Sequence, residues 1–561
     1  MNARVLSSIV LSGIALAGAA GQTLPLRATH SASFASDFMG YAVSRLGDVN
    51  GDAVPDYLVG VHGTNSAGGP LTGQALVVSG ATRQNLYILN GVGAADRFGY
   101  SLDGGRDVNG DGVPDFIIGA PSTFLLGGTA QGTVYVYSGA TGANLFTINA
   151  AGFDALGFDV ALIGDVNGDG RSEFAASEGF FWNNNTALPN RVYIYDGASG
   201  AVLRTFSAPA TGTTFGVSIA GTGDVDGDQA GDIVIGYPNW TSTGGVVNGR
   251  AEVYSGATGA SIYDLTYATA NTLYGISVAS GGDMNGDGRP EIVVGGAGYY
   301  APFYLAGLST STGVVGVHDG QTGGLLFQYN PSIFDFGLTS GTGFSVAGGE
   351  DLNGDGVPDF LAGAPGAYLG TLGISPGAVL ALSGANGQVL RRINGDQQYQ
   401  NFAQSVALLA DQNGDGFAEI LSGSPSFDLG ALTDAGGAFV HTLTGSNAFG
   451  TALNGLSLQY ANGPGTLGAV VSNGASAGAG GFIAANFIAG STSFGVPPIP
   501  VYVAIDPALL ISTIGYDGTG SWSQPFDIRQ PTLSGVVIYL QAFSATNGIA
   551  SASNGLEILF L

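Results

Sequence analysis

The sequence predicts an all-β protein whose larger part is a seven-bladed β-propeller. An acidic motif recurs seven times, and its copies start 59, 58, 59, 59, 68 and 60 positions apart. Short runs rich in Val, Ile, Tyr and Phe flank each copy, and no helical pattern intervenes. Seven four-stranded units fall within the usual four to eight blades of a propeller. A linear β-solenoid is the structural alternative, but its repeats are usually much shorter.

The N-terminus has the pattern of an export signal. Arg4 precedes an apolar run from Val5 to Ala17, and the small residues of the segment 18–21 follow before Gln22. The run is shorter than the ~20 residues that span a membrane. We therefore predict a signal peptide at residues 1–21 and a secreted or cell-surface protein with no later transmembrane segment. A buried first helix is the alternative. The chain has no Cys, so no disulfide and no lipid-anchored Cys is expected.

Four strands are predicted in each repeat. An aromatic-Gly pair such as Phe98-Gly99 opens the first strand, and the acidic loop follows it. The second strand ends in small residues and Pro, as at Gly119-Ala120-Pro121. The third alternates, as in the segments 133–137 and 191–195, and a Gly-rich turn leads to a fourth such as 144–148. A ring of such blades needs closure, and we expect residues 24–29 to supply the outer strand of the last blade, beside residues 438–441.

The charge of the chain is strongly acidic. There are 14 Lys+Arg against 41 Asp+Glu, for a formal net charge of −27. Only 10% of the residues are charged and 45% are hydrophobic, which excludes a disordered acidic tail. The negative charge also repels polyphosphate, so no nucleic-acid partner is expected.

The acidic motif explains most of this charge, because it holds 22 of the 41 acids. It places oxygen-bearing side chains at loop positions 1, 3, 5 and 9, which suits Ca²⁺, a cation that takes six to eight oxygen ligands. Gly at position 6 permits the positive φ of such a turn, although Ala53 and Gln229 replace it in the first and fourth loops. We predict up to seven Ca²⁺ ions. The predicted ligands are Asp48, Asn50, Asp52, Asp56, Asp107, Asn109, Asp111, Asp115, Asp165, Asn167, Asp169, Glu173, Asp224, Asp226, Asp228, Asp232, Asp283, Asn285, Asp287, Glu291, Asp351, Asn353, Asp355, Asp359, Asp411, Asn413, Asp415 and Glu419.

The acidic motif has two alternatives to a calcium loop. An EF-hand requires an acid at position 12, where the first two loops carry Val59 and Ile118 within a predicted strand. Acidic β-turns without metal are the other alternative. Carboxylates crowded within ~4 Å repel by roughly 4 kcal/mol per pair at an effective dielectric of ~20, which argues for a cation in most loops.

These units resemble the FG-GAP repeats that form the seven-bladed propeller of integrin α-subunits. The resemblance covers residues 24–445, with Phe98-Gly99 and Gly119-Ala120-Pro121 as its clearest motifs. In that family the acidic loop joins the first two strands of a blade and binds Ca²⁺, which the resemblance carries over to the loop residues given above. Some repeats depart from the pattern, as at Ser177-Glu178-Gly179. The resemblance implies the fold and the metal sites, and a function only by analogy.

A ligand-binding rim is predicted on the face opposite the acidic loops, where the connections between second and third strands lie. Aromatic side chains and amides concentrate in three neighbouring repeats, at Trp182, Trp240, Tyr299, Tyr300 and Tyr304. Aromatic platforms with amide donors suit a glycan or a protein partner. The alternative is that these side chains fold inward as packing under long loops.

Catalysis finds little support in the sequence. The four His residues are scattered, and no nucleophile or metalloprotease motif is present. A polysaccharide lyase or hydrolase remains an alternative, as related propellers include such enzymes. Outside the loops, Asp96, Asp103, Asp154 and Asp159 are predicted to be solvated turn or strand-end residues.

Taken together, three segments are predicted: a signal peptide (1–21), the propeller (22–445) and a C-terminal β-rich domain (446–561). Alternating runs at 501–505, 535–541 and 556–560 favour a small β-sandwich in the last segment. The leading hypothesis is a monomeric, secreted, calcium-binding propeller that serves as an adhesion or ligand-binding scaffold. A purely structural extracellular protein is a further alternative.

Overall fold

A computed structural model describes residues 36–442, with gaps, and nine strands beyond Asn447. The gaps are residues 67, 123–130, 151–154, 179–189, 209–213, 242–247, 270–271, 299–312, 332–339, 368–375, 396–399 and 429–431. The predicted signal peptide and residues 24–29 therefore lie outside the described residues. The chain divides into two compact units, of which one holds residues 26–388 and 392–443 and the other includes residues 444–561.

The first unit is a ring of seven antiparallel sheets, the blades. Blades 1 to 4 contain β1 (Met39–Gly47), β2 (Asp56–Val61), β3 (Gln74–Val78) and β4 (Asn85–Asn90); β5 (Ser101–Arg106), β6 (Asp115–Ala120), β7 (Thr133–Tyr137) and β8 (Asn144–Asn149); β9 (Val160–Gly164), β10 (Glu173–Ser177), β11 (Arg191–Tyr195) and β12 (Val202–Ser207); and β13 (Ile219–Gly223), β14 (Asp232–Tyr237), β15 (Arg250–Tyr254) and β16 (Ser261–Thr266). Blades 5 to 7 contain β17 (Tyr274–Gly282), β18 (Glu291–Gly296), β19 (Val314–His318) and β20 (Leu325–Tyr329); β21 (Ser345–Glu350), β22 (Asp359–Ala364), β23 (Ala378–Leu382) and β24 (Val389–Asn394); and β25 (Ser405–Leu409), β26 (Glu419–Ser424) and β27 (Gly437–Thr442).

This architecture confirms the predicted all-β, seven-bladed propeller. In each of blades 1 to 6 the four strands pair in chain order, and the third strands β7 and β11 have the predicted bounds. Blade 7 shows three strands in the described part of the chain, so the predicted contribution of residues 24–29 to its outer edge stays a prediction.

Burial explains why these segments form strands. The second strand is fully buried in every blade and is apolar apart from its first acid and a few Ser residues, because both of its faces pack against neighbouring blades. Fourth strands such as β8 and β16 are instead mostly exposed or half-buried, although Leu265 of β16 is buried. Between blades 1 and 2, Leu58, Phe98 and Phe116 belong to one apolar cluster. The core is therefore a series of inter-blade layers.

Adjacent blades approach each other through their backbones at the same position of several repeats. A Cβ on Gly119 of β6 would lie 2.2 Å from the carbonyl oxygen of Gly157, the Gly of the next blade's aromatic-Gly position. The same clash would arise between Gly236 and Gly275 and between Gly295 and Gly343. Only Gly in the second strand lets the neighbouring backbone come this near.

A serine in the first strand accompanies this glycine contact. Ser101 donates its hydroxyl proton to the Gly157 carbonyl oxygen at 2.9 Å, and Ser277 donates to Gly343 at 2.8 Å. Blade 3 departs from the pattern, because Ser177 replaces the glycine and Asp159 replaces the serine. Asp159 accepts a hydrogen bond from the Ile219 backbone N–H of blade 4 at 2.7 Å instead.

The ring closes through the same contact. A Cβ on Gly423 of blade 7 would overlap the Gly40 carbonyl oxygen of blade 1, and Ser405 donates to that oxygen at 2.9 Å. Residues 36–39 also run beside residues 433–436, with a parallel bridge between Met39 and Gly436. Blade 7 therefore joins blade 1 through the contacts that join the other blades.

The second unit contains nine strands in two antiparallel sheets. They are β28 (Asn447–Phe449), β29 (Ser457–Tyr460), β30 (Val470–Asn473), β31 (Gly480–Ala489), β32 (Ile511–Gly515), β33 (Trp522–Gln524), β34 (Val536–Thr546), β35 (Ile549–Ala552) and β36 (Gly555–Leu559). The predicted runs at 535–541 and 556–560 correspond to β34 and β36, whereas 501–505 lies outside the described residues. The β-sandwich and the domain boundaries stay predictions.

Replacing Gly119 with Ala tests the inter-blade contact. The new methyl group would clash with the Gly157 carbonyl and with the Ser101 hydroxyl, so we expect a loss of about 2–3 kcal/mol in the free energy of unfolding. Gly112→Ala in an acidic loop is the matched control, because no atom lies within 4 Å of its Cβ position and only its φ of +82° is unfavourable. Urea unfolding measures both, and an equal loss for the two variants would contradict the steric role of Gly119.

Candidate metal centres

The acidic loops lie on one face of the ring, each between the first and second strand of its blade. We number them loops 1 to 7 with their blades. The turn between the third and fourth strand shares this face, since the Gly139 N–H in that turn of blade 2 donates to Asp115 Oδ1 at 3.0 Å. The connections between second and third strands therefore lie opposite, as predicted.

Each loop is folded by hydrogen bonds from its own backbone. In loop 2, Asp107 at position 1 accepts from the Gly110 N–H at 2.6 Å and, through its other oxygen, from the Gly112 N–H at 2.7 Å. Asn109 at position 3 accepts from the Asp111 N–H at 2.8 Å. The other loops repeat this scheme, for example at Asp283 and Asp411. The oxygen-bearing side chains are thereby fixed around one loop centre.

Position 6 takes a positive φ in all seven loops. Five loops have Gly there, with φ between +81° and +88°, whereas Ala53 has φ 67° and Gln229 has φ 71°. The predicted conformational requirement is confirmed, and loops 1 and 4 meet it with residues that disfavour this region.

The acid at position 9 is buried and ties the loop to the neighbouring turn. Asp115 is fully buried and accepts from the Val108 N–H at 2.8 Å and from the Gly139 N–H at 3.0 Å. Asp359 makes the same two contacts, with Leu352 and Gly384. This side chain, predicted only as a ligand, therefore also holds the first two strands to the third and fourth.

Burial raises the pKa of the position-9 acids. The pKa of Glu173, Glu291, Asp359 and Glu419 is raised to about 7, first by burial and then by the neighbouring loop carboxylates, against the backbone N–H groups that lower it. The pKa of Asp232 is raised to about 6 for the same reasons. For Glu419 the positive charge of Arg83 also lowers the pKa, but burial has the larger effect.

The donor set fits a hard divalent cation. In four loops, three acids each bring one oxygen within 4.8 Å of the others; the groups are Asp169, Glu173 and Asp196; Asp224, Asp226 and Asp232; Asp283, Asp287 and Glu291; and Asp411, Asp415 and Glu419. In loop 5 the Asn285 amide nitrogen lies 2.8 Å from Glu291 Oε1 and 3.1 Å from Asp287 Oδ2. A cation that takes six to eight oxygens would suit such a set.

Comparison with known proteins agrees with this geometry. The FG-GAP repeat family matches residues 98–137 and 342–382. Integrin alpha-5 of Xenopus laevis is 29% identical over 222 residues, which are 37% of this chain and 20% of that protein. Integrin alpha-V of Gallus gallus is 27% identical over 221 residues, with the same shares, and integrin alpha-7 of Homo sapiens is 34% identical over 158 residues, 27% of this chain and 13% of that protein. Residues 36–442 form an integrin-α-like FG-GAP propeller. The similarity spans a fifth or less of these relatives' length.

The integrin-α-like propeller carries two loop acids that the sequence analysis missed. Asp196 and Asp319 begin the turns between third and fourth strands in blades 3 and 5, and each accepts from the Asn at position 3, Asn167 at 3.2 Å and Asn285 at 3.0 Å. Four other blades start this turn with Ser, namely Ser79, Ser138, Ser255 and Ser383. Comparing the turns between repeats would have revealed the two acids.

Of the predicted ligand rim in this FG-GAP propeller, the structure describes only Trp240. Its indole is half-buried against the apolar cluster between blades 3 and 4, and the Arg250 guanidinium carbon lies 4.8 Å from the ring centroid. This placement supports the packing alternative for Trp240. Trp182, Tyr299, Tyr300 and Tyr304 lie outside the described residues.

Two acids outside the loops were predicted wrongly. Asp103 lies within β5 and Asp159 directly precedes β9, and neither is the solvated residue predicted, because burial raises the pKa of both and each accepts a backbone hydrogen bond from the next blade. Asp103 accepts from the Leu162 N–H at 2.8 Å. These carboxylates link first strands around the ring axis. Asp154 lies outside the described residues.

Two of the described His side chains of the propeller, His62 and His318, are packed in its interior. His62 lies between Phe38, Tyr41 and Tyr100, and burial lowers its pKa to about 3. His318 contacts the Tyr274 hydroxyl at 2.7 Å, and burial lowers its pKa to about 4.

Replacing Ala53 or Gln229 with Gly should stabilise the protein. Each residue now occupies the left-handed region, and Gly removes that strain at some cost in unfolded-state entropy. We expect a gain of about 0.5–1 kcal/mol per site in the free energy of unfolding, measured by urea titration with calcium present. Gly170→Ala, at the same position of loop 3, should lose a similar amount. Destabilisation by Ala53→Gly would contradict this account.

Stability should depend on pH in protein freed of divalent cations. The raised pKa values mean that the folded protein holds protons between pH about 4.5 and 7 that the unfolded chain has released. The free energy of unfolding should therefore fall as pH rises through this window. Added calcium should abolish the fall, because the cation stabilises the charged carboxylates.

Melting temperatures of dialysed protein between pH 5 and 8, with and without calcium, measure this effect. A melting temperature that rises steadily from pH 5 to pH 7.5 without calcium would contradict it.

Proposed function

We propose that this protein is a secreted, calcium-binding β-propeller that acts as an adhesion or ligand-binding scaffold for an extracellular protein or glycan. The observation that carries the proposal is the set of seven acidic loops, which share one hydrogen-bonding scheme on one face of an integrin-α-like ring. The opposite face is left to the long connections between second and third strands.

Electrostatics supports calcium as the cation. Each loop brings several carboxylates together, and two of them ~4 Å apart repel by about 1–4 kcal/mol, depending on solvent exposure. Repulsion in seven loops would be large against a typical stability of ~5–15 kcal/mol. Ca²⁺ in the loops, up to seven ions, would remove this repulsion and fix the face. The residues that would hold it are the predicted ligands at positions 1, 3, 5 and 9.

Secretion is supported by the N-terminal pattern of a basic residue, an apolar run and small residues. No helix in the described part of the chain has the length and apolar character needed to cross a membrane. An extracellular location would also supply the calcium concentration that weak loops need. We propose that the mature protein is a monomer at the cell surface or in the surrounding medium.

The ligand face is proposed from the composition of its loops. Loops on a rigid scaffold commonly carry binding residues, and the connections in blades 3 to 5 hold Trp182, Tyr299, Tyr300 and Tyr304. In blade 4 the Asn239 side chain accepts from Thr214, so that connection is tied to its own blade. Binding is therefore expected to depend more on Trp182 than on the packed Trp240.

Melting with calcium and after dialysis against a chelator tests the metal part of the proposal. Saturation at 100 times the dissociation constant adds ~2.7 kcal/mol per site, so calcium should raise the melting temperature clearly. Elemental analysis gives the number of bound ions. An unchanged melting curve together with no calcium in the protein would refute calcium binding.

A screen of extracellular proteins and glycans tests the ligand part. Trp182→Ala should abolish binding with an unchanged melting temperature, whereas the control Trp240→Ala should lower the melting temperature. Unimpaired binding by Trp182→Ala would place the ligand elsewhere on the propeller. Turnover of a polysaccharide by the wild type would favour the enzyme alternative instead.

A further inference from the structure

We infer that Arg289, which belongs to loop 5, serves as a built-in cation for loop 4 and weakens the calcium affinity of that loop. Loop 4 would then be the first to empty as calcium falls. This inference rests on the calcium binding proposed above. It adds that the seven loops differ in their affinity for calcium.

The geometry places the Arg289 guanidinium directly on loop 4. Its Nη1 lies 2.9 Å from Oδ1 of Asp224, the position-1 acid, and 3.3 Å from the Asp224 carbonyl oxygen. A Cβ on Gly227 would overlap the guanidinium, so the group also covers the backbone of loop position 4. Both side chains are largely withdrawn from water, with 24% of Arg289 and 30% of Asp224 exposed.

Loop 4 is also the loop with an extra acid within the motif itself. Position 3 is Asp226, whereas the other six loops have Asn there: Asn50, Asn109, Asn167, Asn285, Asn353 and Asn413. Asp226 and Asp232 each bring an oxygen within 4.8 Å of one from Asp224. Loops 3 and 5 gain a fourth acid from the neighbouring turn instead, Asp196 and Asp319. Among the described residues, only the position-1 acid of loop 4 forms an ion pair with an Arg. The guanidinium supplies the compensating charge without any ion.

A fixed positive charge on a ligand oxygen opposes calcium in two ways. It repels the divalent ion over a distance of a few ångströms, and it holds Asp224 Oδ1 in a hydrogen bond that the ion would weaken. Position 6 adds to the effect, since Gln229 holds the strained φ that Gly adopts in five other loops.

Blade 3 offers a matched control. Arg171 occupies position 7 of loop 3, as Arg289 does in loop 5, and its guanidinium lies beside Gly110 of loop 2. Among the described residues, however, Arg171 forms no ion pair with Asp107, the position-1 acid of loop 2. Arg171 therefore contacts the neighbouring loop 2 but does not pair with its position-1 acid, as Arg289 does in loop 4.

Calcium titration of the full chain by isothermal calorimetry, with equilibrium dialysis for stoichiometry, tests the inference. Wild type should show one site weaker than the rest. In Arg289→Gln that site should tighten at least about tenfold, because the competing charge is gone. Arg171→Gln should change the isotherm less than Arg289→Gln does, because Arg171 forms no ion pair with a position-1 acid and acts on Asp196 only through its charge. Asp226→Asn, which keeps Arg289 but removes the extra acid, should weaken the same site further.

The outcomes separate this inference from the proposed function. Absence of calcium binding to the wild type refutes the proposed calcium function and the inference with it. Calcium binding with superimposable isotherms for wild type and Arg289→Gln refutes the inference alone. Equal tightening in Arg289→Gln and Arg171→Gln also refutes it, because a general charge effect would then suffice. Melting in saturating calcium checks that each variant is folded, and Asp226→Asn gives an independent result if Arg289→Gln is not.

Discussion

The propeller depends on one backbone contact, the approach of a second-strand glycine to the carbonyl oxygen of the next blade's aromatic-Gly position. Where Gly119 meets Gly157, a single methyl group would fill the space between the blades. The contact sets the distance and angle between neighbouring sheets, and the apolar second strands then pack in the layers so formed. A serine hydroxyl on the first strand satisfies the same carbonyl in most blades, so close packing leaves that polar group paired.

The acidic loops are built on this frame by a second repeated interaction. The position-9 carboxyl is buried and accepts N–H groups from its own loop and from the turn between the third and fourth strands. Its burial opposes ionisation, and the nearby carboxylates at positions 1 and 5 oppose it further. The loops thus combine an organised backbone with uncompensated negative charge. Loop 4 differs because Arg289 supplies part of that compensation from the next blade.

Local sequence patterns predict most of the strands and turns of the fold. Contacts between residues that are far apart in the sequence leave no such local pattern. Alternation in the segment 133–137 gave a third strand with the bounds observed. The glycine at 119 was recognised as a motif, but its clash partner lies 38 positions away in the next blade. For the same reason the sequence predicts a solvated Asp103, although this side chain binds the N–H of Leu162 in the next blade. Oxygen spacing identified the loops, but not the burial of position 9 or the acids Asp196 and Asp319, which come from another turn.

Ring closure carries a consequence for how such a chain is connected. Gly423 and Ser405 meet Gly40 as Gly119 and Ser101 meet Gly157, so the boundary between blades 7 and 1 is packed like others of this type. The boundary between blades 3 and 4 differs, because Ser177 and Asp159 replace the glycine and the serine there. The packing between blades therefore does not determine which blade comes first along the chain. A circularly permuted chain that begins at another blade boundary would retain every inter-blade layer, and this equivalence is what a ring assembled by tandem duplication of one unit requires.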